Sequence, residues 1–136
     1  MTPTDLINKA LRAVASAELL LSAGDVEGAC NRAYYGMFDA ARSALLMTGC
    51  ADETTVTKTH SCLISAFSLH LVKTGRLPAA FGKALNQVHR LRLIADYTGD
   101  EVTAEKTQWA IGQAAIFVEA IQQLALKDAQ NDRSMP

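Results

Sequence analysis

Apolar residues recur at three- and four-residue spacing along almost the whole chain, and the recurrence breaks at four places. Leu6, Ala10, Ala13, Ala17 and Leu20, flanked by Ile7, Leu11, Val14 and Leu21, mark one face of a first helix that Gly24 ends. Thr2-Pro3-x-Asp5 supplies its start, with proline where no N–H is needed and an acid in the first turn. Asp25 caps a second helix that runs through Cys30, Tyr34, Met37, Ala41 and Leu45 to Gly49. Residues 50–57 are polar and β-branched without a period, which predicts a loop. A third helix is expected over roughly 58–74, with Leu63, Ala66, Phe67 and Leu71 inward and Gly75 as its stop. Pro78 opens a fourth, with the stripe Phe81, Ala84, Val88, Leu91 and Ala95, and Gly99-Asp100 breaks it. Thr103 caps a fifth, carrying Ala110, Ala114, Phe117, Ile121 and Leu124. Five helices on short loops predict an all-α antiparallel bundle of four to five helices, one domain over 1–127 with a frayed tail over 128–136.

Composition sharpens this picture. Apolar residues are 49% of the chain and aromatics only 6%, so the core must come from Ala, Leu, Ile and Val. A chain of 136 residues can bury roughly two-thirds of its unfolded surface in a single core. Cys30, Cys50 and Cys62 are an odd number without CxxC spacing, which argues for buried thiols in a reducing cytosol over a disulfide framework. Met1-Thr2-Pro3-Thr4-Asp5 is not a signal-peptide start, and no uninterrupted apolar run is long enough to span a bilayer. A cytoplasmic protein without a membrane segment is expected.

Charge changes the picture more. Between Glu53 and Asp96 there is no acidic residue, while Lys58, Lys73, Arg76, Lys83, Arg90, Arg92 and all three histidines lie there. That stretch carries +6 and the remainder −7, so a total of −1 hides a polarised molecule. Positive charge without interleaved carboxylates concentrates phosphate. A solvated basic face on an ordinary helical protein would have the same composition.

The fourth helix holds the densest chemistry. His89, Arg92 and Asp96, at spacings of three and four, share one face; Arg90 and Tyr97 share another, with Asn86 a turn before Arg90. Imidazole, guanidinium and carboxylate together can bind a phosphate and move a proton. The Arg92–Asp96 spacing is equally that of a surface ion pair worth a few tenths of a kcal/mol. On the second helix, Asn31-Arg32-Ala33-Tyr34-Tyr35-Gly36-Met37-Phe38 places adjacent tyrosines about 100° apart. Tyr34 and Phe38 are assigned to the core, with Tyr35 or Arg32 as candidates to reach a ligand. Gly36 costs roughly 1 kcal/mol against Ala in mid-helix, so something should pack closely there. His60, His70 and His89 have no metal-ligand spacing, so neither a metal nor a cofactor is expected, and no Gly-rich phosphate loop is present. Lys58-Thr59-His60 opens the third helix, where free N–H groups favour an anion.

Four segments in order carry a resemblance. They are Asn31 through Phe38, Lys58-Thr59-His60, Phe67 through Lys73-Thr74-Gly75, and Leu91-Arg92-Leu93-Ile94-Ala95-Asp96-Tyr97. Together they resemble the HEPN-domain family, in its small bacterial and archaeal form often encoded beside a minimal nucleotidyltransferase, over nearly the whole chain from Leu6 to about Leu126. The resemblance implies an all-α bundle and a symmetric homodimer. It also implies a link to metal-independent endoribonucleases, several of them toxins of toxin–antitoxin or phage-defence modules. Those ribonucleases carry an Arg followed, after four to six residues, by a His that handles the 2′-hydroxyl or leaving-group proton. Here four residues separate Arg90 from Ala95 and Arg92 from Tyr97, and no His follows Arg92. The chain is similar to an Arg-x-x-x-Asp-Tyr subgroup without that His.

A positioned acid–base group contributes about 10²- to 10⁴-fold, and a tyrosine with a pKa near 10 is a poor base at neutral pH. The expectation is therefore a non-catalytic or weakly active RNA- or nucleotide-associated protein paired with a nucleotidyltransferase. In it Arg92 contacts phosphate, Asp96 orients it, Tyr97 stacks or hydrogen-bonds, and Lys73, Arg76, Lys83 and Arg90 supply electrostatic approach. The rivals are an active endoribonuclease toxin using Arg92 with His89 or Tyr97, and a structural dimer whose basic stretch docks a partner protein.

Overall fold

The structure, a computed structural model, describes residues 1–50, 52, 59–98 and 100–134, with backbone only from 128 onward. Its described residues form five helices and no strand. They are α1 (Pro3–Ser22), α2 (Val26–Met47), α3 (His60–Phe67, prolonged by a π turn Ser68–Val72), α4 (Ala79–Leu93, prolonged by a π turn Ile94–Thr98) and α5 (Ala104–Ser134).

The helix starts follow local chemistry. Thr2 and Asp5 close a capping box, each side chain accepting the other's backbone N–H at 3.0–3.1 Å. Asp25 accepts from the Gly28 N–H, Thr59 from Cys62 and Thr103 from Lys106, at 2.9–3.1 Å. Gly24, Gly49 and Gly75 take positive φ where α1, α2 and the π turn of α3 end.

The central helix is α2. It buries Ala29, Ala33, Tyr34, Met37, Ala40, Ala41, Ala44 and Leu45, and it touches α1, α3, α4 and α5. Its pairing with α1 is antiparallel and close: a Cβ at Gly36 would lie 3.1 Å from Val14, and the Ser43 hydroxyl donates to the Pro3 carbonyl at 2.8 Å. The expected close approach at Gly36 is therefore α1. On the other side, Phe117 of α5 lies 5.2 Å from Phe67 and 5.7 Å from Phe81, ring to ring, joining α3, α4 and α5. Residues Ala104–Lys127 would be long and apolar enough to cross a bilayer by hydropathy. One stripe of this segment, Ala110, Ala114, Phe117, Val118 and Ile121, is buried against the bundle.

Three details depart from the sequence expectations. Both α3 and α4 widen into π turns, which periodicity at 3.6 residues per turn cannot show. The last helix keeps helical backbone to Ser134, past the boundary expected at Asp128, with no Gly or Pro to stop it there. Of the three thiols, all free, only Cys30 is buried; Cys62 is exposed in the first turn of α3. The loop expected over 50–57 falls almost wholly, and Lys58 wholly, outside the described residues.

Candidate functional site

The C-terminal part of α4, the first turn of α3 and the middle of α2 converge on Arg92. Arg92 is buried, only 7% exposed. Its Cζ lies 5.3, 5.5 and 5.7 Å from the ring centroids of Tyr34, Tyr35 and Tyr97, an aromatic enclosure in which a cation interacts favourably with each π face. One Nη2 donates to the Tyr35 hydroxyl at 3.3 Å. Nε lies 3.2 Å from Asp96 Oδ2, close enough for an ion pair but without hydrogen-bond alignment, and it is buried. Asp96 is held from the other side by the Asn31 amide at 3.1 Å. A guanidinium has five N–H donors, and among the described residues Arg92 uses one in a directed hydrogen bond.

The π turn explains how Tyr97 arrives there. A spacing of 3.6 residues per turn puts Tyr97 on the face of Arg90. The wider turn over Ile94–Thr98 delays the chain by about one residue, so Tyr97 covers Arg92, five positions earlier. Tyr97 itself is 72% exposed and presents its other ring surface to solvent.

Two imidazoles flank the aromatic enclosure. His60 Nδ1 is 2.6 Å from the hydroxyl of the fully buried Tyr34, and its ring lies 4.6 Å from Phe38. His89 packs on Tyr34 at 4.9 Å and lies nearly parallel to His60 at 5.9 Å and 10°. Burial, and then the nearby Arg92 charge, hold His60 below the usual imidazole range. The same two causes, in the same order, lower His89, with His60 adding to them. His89 Nδ1 is buried without a hydrogen-bond partner among the described residues. Burial pushes the Tyr34 phenol up, with Arg92 opposing and Tyr35 adding, so it stays protonated. Beneath Asp96, burial and that carboxylate push the Cys30 thiol up to about 11, which leaves it an unreactive core group.

The structure thus gathers His89, Arg92, Asp96 and Tyr97, and it separates the remaining basic residues from them. Arg90 points toward α5, where it lines a shallow hollow with Gln87, Leu91, Lys106 and Trp109. Lys73, Arg76 and Lys83 are exposed, on the segments between α3 and α4 and early in α4. Arg32 acts electrostatically on Asp39 of its own helix, and the Asn86 amide folds back to the Gly82 carbonyl. Sequence reasoning missed His60, Tyr34 and Asn31 as members of the cluster. Asn31 and Tyr35, four apart on one helix face, carried a usable signal. His60 carried a helix-start anion signal with Lys58 and Thr59 but none for its pairing with Tyr34, 26 residues away.

No group of three or more metal-ligating side chains occurs among the described residues. The donor set around Arg92 is cationic and aromatic, suited to an anion with a flat ring beside it.

Comparison with known proteins matches this architecture to one family. A family model described as HEPN domain covers residues 4–124, and the chain belongs to that family. It is 33% identical to the UPF0332 protein glr0978 of Gloeobacter violaceus, over 88% of this chain and 94% of that protein. It is also 33% identical to a Methanocaldococcus jannaschii protein named "Putative toxin MJ0605", over 90% of this chain and 87% of the other. A UPF0332 protein of Thermotoga maritima is 33% identical, over 79% of each chain.

Proposed function

We propose that this HEPN-domain protein is a non-catalytic or weakly active RNA- or nucleotide-associated component of a toxin–antitoxin or defence-type module, acting as a homodimer with a nucleotidyltransferase partner. The carrying observation is Arg92: a buried guanidinium, ringed by three tyrosines, with four of its five donors in no directed hydrogen bond among the described residues. Only Nε among them is buried without a partner, and the remaining donors are free to meet a phosphate oxygen in charge-assisted bonds. Asp96 and Asn31 hold the guanidinium in plane, and exposed Tyr97 offers a face on which a base stacks. Lys73, Arg76, Lys83 and Arg90 raise the local concentration of polyanion without touching the seat. The similarity to the protein named "Putative toxin MJ0605" supports the module assignment.

A second reading, an active metal-independent endoribonuclease toxin, is favoured by one observation: two imidazoles lie against the same tyrosines as Arg92. Incubating the protein with mixed cellular RNA in EDTA, beside Arg92→Ala, separates the two. RNA retention with little or no cleavage is expected. Rapid cleavage by the parent and not by the variant would replace the first reading with the second, and indifference to RNA would overturn both.

A further inference from the structure

Tyr34 has a fully buried hydroxyl, and a buried O–H needs an acceptor. Among the described residues it has one partner, His60 Nδ1 at 2.6 Å. A phenol kept protonated by burial must donate in this contact, so His60 Nδ1 accepts. A neutral imidazole has one N–H and one lone pair. With the lone pair at Nδ1 committed to Tyr34, the proton resides on Nε2. His60 is thereby a fixed N–H donor even when uncharged. A free imidazole mixes tautomers and would turn a lone pair toward an approaching anion for part of the time.

The location of this donor gives it a use. His60 meets Tyr35 edge-on at 5.8 Å and stacks on Tyr34 at 5.6 Å, and Arg92 lies over the same two rings. Tyr34 and Tyr35 from α2 and His89 and Arg92 from α4 all face His60.

We infer that Tyr34 is a positioning residue that locks His60 as its Nε2–H tautomer, and that His60 and Arg92 together seat one phosphate of single-stranded RNA. The inference rests on the reading of Arg92 as a phosphate contact and adds the second donor of that seat. His60 donates to one non-bridging oxygen, Arg92 to the other. No proton is transferred and no bond is broken.

Two measurements test it, with a short single-stranded oligouridylate as the probe. Long-range proton–nitrogen NMR of the histidine side chains at neutral pH reads the tautomer directly. His60 should show a protonated Nε2 and a bare Nδ1 in the parent, and a mixture in Tyr34→Phe, which removes only the hydroxyl. Oligouridylate affinity should fall roughly ten- to hundred-fold in His60→Ala. It should recover in part in His60→Gln, whose amide N–H reaches toward the Nε2 position, and circular dichroism of that variant guards against misfolding. A protonated Nδ1 in the parent, or His60→Ala binding as tightly as the parent while Arg92→Ala has lost affinity, overturns this inference and leaves the proposed function standing. No binding by the parent overturns both.

Discussion

At the scale of single residues, burial turns Arg92 from an ordinary surface cation into an under-satisfied donor. An exposed i,i+4 pair with Asp96 would contribute a few tenths of a kcal/mol. Here the guanidinium is enclosed by rings, and only Tyr35 accepts from it with good geometry among the described residues. Tyr97 is predicted to contribute by stacking: Tyr97→Ala should weaken oligouridylate binding roughly tenfold, within the ~1–3 kcal/mol that one base stack supplies, while Tyr97→Phe should change little. Fluorescence anisotropy checks both. The histidines make a separate prediction about pH. Burial and Arg92 depress His60 and His89 in the folded state, whereas in the unfolded chain they titrate near 6.5. Below that pH the unfolded state binds more protons, so their share of stability is complete above about pH 6.5 and is lost as pH falls through that value toward the lowered folded pKa values. The parent's thermal midpoint should therefore drop on acidification through that window, and the drop should shrink in the double variant His60→Gln/His89→Gln. Equal slopes for the two proteins would contradict the assignment.

Among the elements, all five helix starts and the described glycine stops were legible from caps, prolines and glycines, because those signals act within one turn. The inward residues of α5 were legible too, since Ala110, Ala114, Phe117 and Ile121 recur on one face and are buried. The π turns were not, and that single extra residue moved Tyr97 from the side of Arg90 to that of Arg92. His89, Arg92 and Asp96 could be grouped because they share a helix. His60 could not, because its partner Tyr34 belongs to another element and tertiary packing leaves no local mark. Gly36 shows how an element-level constraint is tested. Gly36→Ala gains up to about 1 kcal/mol of helix propensity, largely offset as Val14 yields from a 3.1 Å contact. Gly36→Leu should separate α1 from α2 and lose about 1–3 kcal/mol in urea unfolding, typical of overpacking.

For the whole molecule, α2 acts as the frame: one side packs on α1 and α5, and the other presents Asn31, Tyr34 and Tyr35 to α3 and α4. The polarised charge follows that division, since the acid-free stretch between Glu53 and Asp96 spans α3 and nearly all of α4. Sedimentation should find twice the chain's mass, as the proposed homodimer requires, and a monomer at micromolar concentration would contradict that part of the proposal. The central claim is that Arg92 contacts phosphate, and its most direct test is the salt dependence of oligouridylate affinity for the parent and for Arg92→Ala, in EDTA. The account predicts weaker binding by the variant at every salt concentration, with the slope of log affinity against log salt reduced by about one contact. Identical affinity and slope for the two proteins, with the fold intact, would contradict it.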